Sequence, residues 1–286
     1  MKAVAVIQMV SKPDVTANLR QAEQLLRWAA KQGVGLAVLP ENFAVFSTGK
    51  MLEYGWQERD ADGPIRSFLR EQARKLNLWI LAGTLPCARR PDGSVIEGRV
   101  RAASLLISPD GEEVARYDKI HLFDVQVADA QGSYQESREI EPGDQPVWVD
   151  TPWGRLGMAV CYDLRFPELF RYYRQQGASL IALPSAFTKR TGDAHWEVLV
   201  RARAIETQCV LLAANQGGVH TETRTTSGDS MVVDAWGQVL NRLAQGPGVV
   251  EALLDPARLQ EVRAQMPIMQ HLRLPTFSVE GCSVED

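Results

Sequence analysis

This 286-residue chain has four cysteines, four histidines and no long apolar run, and each scarcity removes a class of function. The cysteines stand at 87, 161, 209 and 282, without the CxxC spacing of a zinc or redox site, and read as reduced thiols of a cytoplasmic protein. No pair among His121, His195, His220 and His271 has the spacing of a helical zinc site, so no metal and no cofactor is expected. Basic charge is not in excess: 31 Lys and Arg face 35 Asp and Glu, a net charge of -4, and no Lys/Arg cluster forms. That balance argues against nucleic acid or an anionic membrane as partner. Nothing approaches the roughly 20 apolar residues of a membrane-spanning helix. The opening Met1 to Met9 is broken by Gln8 and followed by no small-residue cleavage site, so no signal peptide is expected. A small-molecule substrate is the partner that remains.

What is present is typical of a soluble globular protein able to bury a substantial core: 45% hydrophobic and 23% charged residues. Short apolar runs recur at Ala3 to Ile7, Leu36 to Leu39, Leu78 to Ala82, Ala103 to Ile107, Leu156 to Val160, Leu180 to Leu183, Val210 to Ala213 and Met231 to Val233. Several are apolar throughout, as strands covered on both faces are. Helical periodicity runs between Pro13 and Gly33, where Val15, Leu19, Ala22, Leu25, Leu26 and Ala29 form one stripe, and in Pro64 to Asn77, Pro167 to Gln176 and Ala194 to Gln208. Strands alternating with helices imply an α/β sheet, and hairpins around Pro109-Asp-Gly-Glu112 and Ala235-Trp-Gly237 make it mixed. Residues 1–276 are assigned to one domain and 277–286 to a C-terminal tail. The polar segment Phe123 to Pro146 carries no clear element and reads as a wall or lid over a site. Asn215-Gln-Gly-Gly218 matches neither a P-loop nor a dinucleotide fingerprint and reads as a turn.

Cys161 closes the apolar run 156–160 and opens Tyr162-Asp-Leu-Arg-Phe-Pro-Glu168. A thiol at the carboxyl end of a buried strand, on a turn into a helix, is either a nucleophile at a substrate-accessible rim or a small hydrophobe finishing the strand. An ordinary thiol, with pKa about 8.5, is mostly protonated at neutral pH and needs a base or a positive neighbour. Leu36-Ala-Val-Leu-Pro-Glu41 ends in a carboxylate, and Arg116-Tyr-Asp-Lys-Ile-His-Leu-Phe123 carries Lys119. Those two residues are candidates for both roles.

Taken together, Leu39-Pro-Glu41, Asp118-Lys-Ile-His-Leu-Phe123, Tyr134-Gln-Glu-Ser137 and Cys161-Tyr-Asp-Leu-Arg-Phe-Pro-Glu168 resemble, in order and spacing, the nitrilase superfamily of carbon–nitrogen hydrolases. The likeness runs from the first strand to about Leu272. It implies a four-layer αββα sandwich, a catalytic set mapping onto Glu41, Lys119 and Cys161 with Glu136 as an additional site glutamate, and a homodimer or higher homo-oligomer. In such a set Glu41 takes the thiol proton as Cys161 attacks an amide carbonyl, and the oxyanion is met by Lys119 and the backbone N–H of Tyr162.

The segment His195 to Cys209, with Pro184-Ser-Ala-Phe187 and Ser230-Met-Val-Val-Asp234, looks most like the branch of amidases acting on deaminated glutathione, whose relatives the ω-amidases hydrolyse α-ketoglutaramate. The expected reaction is hydrolysis of a primary amide in a small α-keto acid, releasing ammonia through a cysteine thioester. An N-carbamoyl amino-acid hydrolase or a nitrilase would use the same four residues. A non-catalytic scaffold or an acyltransferase is the alternative from another class, and the presence of Glu41, Lys119 and Cys161 weighs against the scaffold. Acid groups on the substrate call for donors near the thiol: Arg165, Thr188, Lys189, Arg190 and Thr191 are the candidates, with a structural ion pair as the other role for Arg165 and a solvated loop for the basic cluster, and Phe187 is a further substrate-binding candidate. Thr225-Thr-Ser-Gly-Asp229 and Ala235-Trp-Gly237 depart from the family's commoner pattern in loops of the kind that set specificity.

Overall fold

Alternation along the first strand defines how the layers stack. In the computed structural model, which describes residues 2–47 and 49–274, Val4 and Val6 of Lys2–Gln8 join an apolar cluster with Leu156, Leu180 and Leu211, whereas Ala5 and Ile7 pack with Ala22, Leu26 and Leu69. Successive side chains of a strand point to opposite faces, so one face of this sheet rests on a second sheet and the other on helices Val15–Lys31 and Pro64–Leu76. Beyond the second sheet lie Pro167–Gln175 and Lys189–Thr207, which contribute Phe170, Tyr173, Trp196 and Val200 to the same cluster. The result is the αββα sandwich. The expected tail 277–286, like the last two residues of the expected domain, lies outside the described residues.

Both sheets are mixed and built alike. In the first, Lys2–Gln8, Leu36–Val38 and Trp79–Leu81 run parallel, Gly248–Leu254 pairs antiparallel with Lys2–Gln8, and Arg101–Ile107 pairs antiparallel with Trp79–Leu81, Leu85–Cys87 and Glu113–Asp118. In the second, Gly154–Met158, Leu180–Ala182 and Val210–Ala213 run parallel, flanked by Val147–Thr151 on one side and by Ser230–Val233 and then Val239–Leu243 on the other. The parallel strands are almost wholly buried, as their unbroken apolar sequences require. Two expected boundaries move. The helix read from Ala194 begins at Lys189, because the Thr188 side chain accepts the N–H of Thr191 and caps it five residues earlier. The segment 123–146 contains a two-stranded ladder, Asp124–Gln126 with Ser133–Gln135, and a short helical turn Glu136–Arg138.

The sequence reading of Asn215-Gln-Gly-Gly218 as a turn is corrected by the structure: these residues form a buried seam between the sheets. Asn215 and Gln216 are fully buried. The Gln216 amide accepts the Ser11 N–H at 3.1 Å and donates to Ser11 Oγ at 2.8 Å and to the Glu41 carbonyl at 3.1 Å. Asn215 Oδ1 accepts the Phe187 N–H at 3.0 Å. Amide side chains supply donors and an acceptor together, so two of them satisfy backbone groups of strand ends that have outrun their ladders. His220 extends the seam, with Nδ1 2.7 Å from the Ser11 carbonyl and Nε2 2.7 Å from Thr226 Oγ1. The first contact requires the proton on Nδ1, and Nε2 then accepts from the threonine hydroxyl.

Burial, with smaller repulsion from Arg224 and Lys12, lowers the His220 pKa from its ordinary 6.5 to about 4. Its folded-state pKa lies below the unfolded one, so the folded state binds this proton less tightly, and stability present above pH 6.5 is lost as pH falls towards 4. The shift corresponds to roughly 3 kcal/mol. Urea denaturation across that window will give a fall in stability that His220→Gln largely removes; an unchanged slope in the variant would assign the fall to other groups.

Candidate active site

The ends of the central strands define where the chemistry-bearing residues meet. Leu36–Val38 continues as far as Leu39, whose N–H donates to Leu81 at 2.9 Å, and Glu41 lies two residues on. In the second sheet Gly154–Met158 is prolonged by Ala159 N–H to Ala182 at 3.0 Å and Cys161 N–H to Pro184 at 2.8 Å. Both residues therefore stand beyond the carboxyl ends of parallel strands, the edge at which open α/β sheets bind ligands. Lys119 follows the antiparallel strand Glu113–Asp118 and is tethered by its N–H to Ala102 at 3.1 Å. Glu136 starts the helical turn at the end of the small ladder.

The side chains converge. Lys119 Nζ lies 2.8 Å from Glu41 Oε1, and 2.9 and 2.8 Å from the two oxygens of Glu136. Glu136 Oε2 also accepts the Phe123 N–H at 2.7 Å, which fixes the carboxylate from the other side. Lys119, Glu41 and Cys161 are 1%, 4% and 7% exposed, so this is an ion cluster out of water with a thiol beside it. Burial alone would push the Lys119 ammonium towards neutrality, but Glu136 and Glu41 override it and hold the pKa well above the ordinary lysine value. The Glu136 pKa is raised by burial and by the charge of Glu41, against the pull of Lys119. Two carboxylates around one ammonium leave the cluster short of positive charge. The Cys161 thiol responds: burial, then the charge of Glu41, push its pKa well above the cysteine range, opposed by Lys119 and by the N–H of Ala186. The resting sulfur therefore keeps its proton, held there by burial and by the charge of the nearby carboxylate.

Cys161 has φ +47°, a left-handed backbone that costs a side-chain-bearing residue on the order of 1–3 kcal/mol and projects it from a sharp turn. Asp163 over-determines that turn. Fully buried, it accepts the Val160 N–H at 2.7 Å and the Tyr117 hydroxyl at 2.7 Å through one oxygen, and the His121 N–H at 3.1 Å through the other, which also lies 2.7 Å from His121 Nδ1. Tyr117 and His121 flank Lys119, so one carboxylate ties the thiol turn to the ammonium-bearing segment.

A cavity of about 270 Å³ opens on the cluster. Glu41, Lys119, Glu136 and Cys161 line it, together with Tyr162, Phe187, Thr188 and Thr191. Phe123, Tyr134 and Glu139 also reach it, which makes the segment 123–146 a wall of the site, as its sequence position implies. Lys189 and Arg190 do not line the cavity, and Arg165 is a third exception among the candidates. It is absent from the lining; its Nη2 sits 3.3 Å from His195 Nδ1 and its guanidinium lies beside the rings of Tyr162 and Phe187. The structural ion pair is not found, since among the described residues no carboxylate pairs with it. Three contributors escaped the sequence reading: Asp163, inside a quoted motif but without a partner visible in sequence, the backbone N–H of Ala186, and Arg224, which lines the cavity from a polar loop. No cluster of metal-ligating residues occurs among the described residues.

An αββα sandwich whose sheet ends bring a thiol, two carboxylates and an ammonium into one cavity has the architecture of a carbon–nitrogen hydrolase. Residues 3–264 match the carbon-nitrogen hydrolase family, and the chain belongs to it. A protein of Yersinia enterocolitica named deaminated glutathione amidase is 45% identical over 283 residues, 98% of this chain and 96% of that protein. The human protein of the same name is 41% identical over 273 residues, 94% of this chain and 82% of that one. The crystal structure of the Caenorhabditis elegans NitFhit protein superposes with a TM-score of 0.87 at 35% identity, covering 97% of this chain and 66% of that one.

Replacing Asp163 by alanine strands two backbone N–H groups and the Tyr117 hydroxyl without their buried acceptor. Chemical denaturation will register a loss on the order of 3 kcal/mol or more. A loss below about 1 kcal/mol would mean that the turn is held by other contacts.

Proposed function

We propose that this protein hydrolyses the γ-amide bond of deaminated glutathione through a thioester on Cys161. The observation that carries the reading is the meeting of Cys161, Glu41, Lys119 and Glu136 at one cavity; the names of the relatives support the substrate. The thiol is neutral at rest, so attack and deprotonation go together: the sulfur bonds to the amide carbon as its proton moves to Glu41. That concerted step moves the negative charge from the Glu41 carboxylate to the substrate carbonyl oxygen without changing the total charge of the site. The oxyanion then forming is met by the Lys119 ammonium and the N–H of Tyr162, donors in place before the reaction starts. Glu41 returns its proton to the departing nitrogen, the C–N bond breaks, and a water deprotonated by Glu41 cleaves the thioester to acid and thiol. Glu136 keeps Lys119 charged and aimed.

The covalent structure of the substrate sets the leaving group. In deaminated glutathione the γ-carbonyl is bonded to the nitrogen of cysteinylglycine, so that dipeptide's amine departs; ammonia departs when the same acyl group carries an unsubstituted amide, as in α-ketoglutaramate. The acyl-enzyme is an α-ketoglutaryl thioester in both cases. A cytoplasmic location is our reading of the unpaired thiols at Cys87, Cys161 and Cys209. No helix among the described residues is long and apolar enough to cross a membrane. A homo-oligomer is our reading of the family resemblance, supported by Val198 and Ile205, 68% and 48% exposed and seven residues apart on the helix Lys189–Thr207.

Incubation with deaminated glutathione followed by rapid acid quench and peptide mass spectrometry will find the α-ketoglutaryl group on the peptide carrying Cys161. Cys161→Ala will lower turnover by more than about 1,000-fold with the melting temperature little changed. Cys209→Ala, at a core thiol that donates to the Ala178 carbonyl at 3.2 Å, will keep turnover. An active Cys161→Ala enzyme, or an adduct on another cysteine, would end the proposal.

A further inference from the structure

Arg224 stands out among the residues lining the cavity because its charge and part of its hydrogen-bonding capacity are unused. Its Nη2 donates to the Ala186 carbonyl at 3.0 Å, but Nη1 is buried and finds no partner. No carboxylate among the described residues pairs with it. The Arg224 charge reaches Asp129, whose Oδ2 accepts the Tyr134 hydroxyl at 2.8 Å, and Tyr134 itself, which offers the guanidinium no compensating negative charge. A buried guanidinium nitrogen left unsatisfied carries a desolvation penalty that native proteins seldom leave uncompensated. Of the buried side-chain atoms without a partner among the described residues, this one belongs to a side chain lining the active-site cavity, where a ligand would supply the missing acceptor.

The surroundings hold the guanidinium in place. Its carbon lies 4.8 Å from the Tyr134 ring centroid and 5.8 Å from that of Phe46, so two aromatic walls flank it. Its backbone closes a small ladder: His220 N–H donates to the Arg224 carbonyl at 2.9 Å, Arg224 N–H donates to Thr221 Oγ1 at 3.1 Å, and Val219 pairs with Thr225. Ala186 links it to the chemistry, since its carbonyl takes Nη2 while its N–H faces the Cys161 sulfur. Every other cation near the thiol is engaged elsewhere. Lys119 is held by two carboxylates, Arg165 turns to His195, Lys189 pairs with Asp193 at 2.5 Å, and Arg190 donates to the Ala128 carbonyl at 2.9 Å.

We propose that Arg224 is the specificity residue of this cavity, binding through Nη1 a carboxylate at the end of the substrate remote from the scissile amide. The substrate class is then an amide that bears a carboxylate a few bonds away, the feature that deaminated glutathione and α-ketoglutaramate share in their acyl halves. The inference deepens the proposed function and rests on the same cavity. A planar guanidinium offers a carboxylate directed, charge-assisted hydrogen bonds, which a neutral amide of equal length cannot use.

The test separates recognition from turnover. Calorimetry with glutaramate, and with pentanamide as its neutral counterpart of equal chain length, is run on Cys161→Ala protein with and without Arg224→Met. With Arg224 present, glutaramate will bind about 100-fold more tightly than pentanamide, and Arg224→Met will remove most of that preference. Arg224→Lys will restore part of it, a rescue that a purely structural role for the guanidinium would not give. In the Cys161 enzyme, Arg224→Met will lower kcat/KM at least tenfold further for glutaramate than for pentanamide. No preference for glutaramate with Arg224 in place, or a preference that survives Arg224→Met, overturns the proposal. Because binding is read on the Cys161→Ala protein, that result stands apart from the amidase reading, which is judged by turnover and by the position of the acyl adduct.

Discussion

One buried ammonium organises this molecule. Lys119 is 1% exposed and held between Glu41, 4% exposed, and Glu136, whose side chain is 19% exposed, so two charges have left water together and a third has largely followed. Each ion alone would cost several kcal/mol to bury, and only mutual attraction at hydrogen-bond distance offsets that cost. The arrangement constrains the fold, because the three residues come from the end of a central parallel strand, the end of an antiparallel strand and a turn in the long connection between the sheets. A displacement of any of these by an ångström or two would leave a buried charge without its partner. The seam around Gln216 and the carboxylate of Asp163 brace those ends.

The same cluster sets the state of the sulfur. With two carboxylates around a single ammonium, a thiolate would be a third negative charge in a buried site, and the thiol accordingly keeps its proton. This differs from cysteine enzymes whose nucleophile rests as a thiolate beside a cation. On the proposed mechanism the proton is handed to Glu41 only as the bond to carbon forms, and the positive charge of Lys119 remains for the oxyanion. Placing carboxylate recognition at Arg224 keeps a second negative group away from that balance. Ala186 joins the two functions through the opposite ends of one residue.

Much of this was legible in sequence because the signals are local. Apolar runs uninterrupted by polar residues marked 36–39, 156–160 and 180–183 as strands covered on both faces, and Glu41 and Cys161 stood at their carboxyl ends. The order of the motifs gave the αββα class and drew Lys119 and Glu136 into the same set. What escaped depends on contacts between distant parts of the chain. Gly248–Leu254 is a strand because it pairs with Lys2–Gln8 at the other end of the sequence, and nothing local announces that partner. Asn215 and Gln216 look like turn residues until the strand ends that need their amides are placed around them. Arg165, four residues after Cys161, is not among the residues lining the cavity, whereas Arg224, 63 positions after Cys161, lines the wall. Proximity along the chain is a poor guide to proximity in a pocket assembled from loops on two sheets.

The central claim is that Cys161 rests as a neutral thiol, its proton retained by burial and by the charge of Glu41. It is tested most directly by titrating thiolate absorbance in the ultraviolet as a difference between the protein and its Cys161→Ala variant, in which the other three cysteines cancel. At pH 9, where an ordinary cysteine is more than half ionised, the account predicts little thiolate from Cys161. A thiolate signal with a midpoint below about pH 8 would contradict it and would mean that Lys119, not the pair of carboxylates, governs the sulfur.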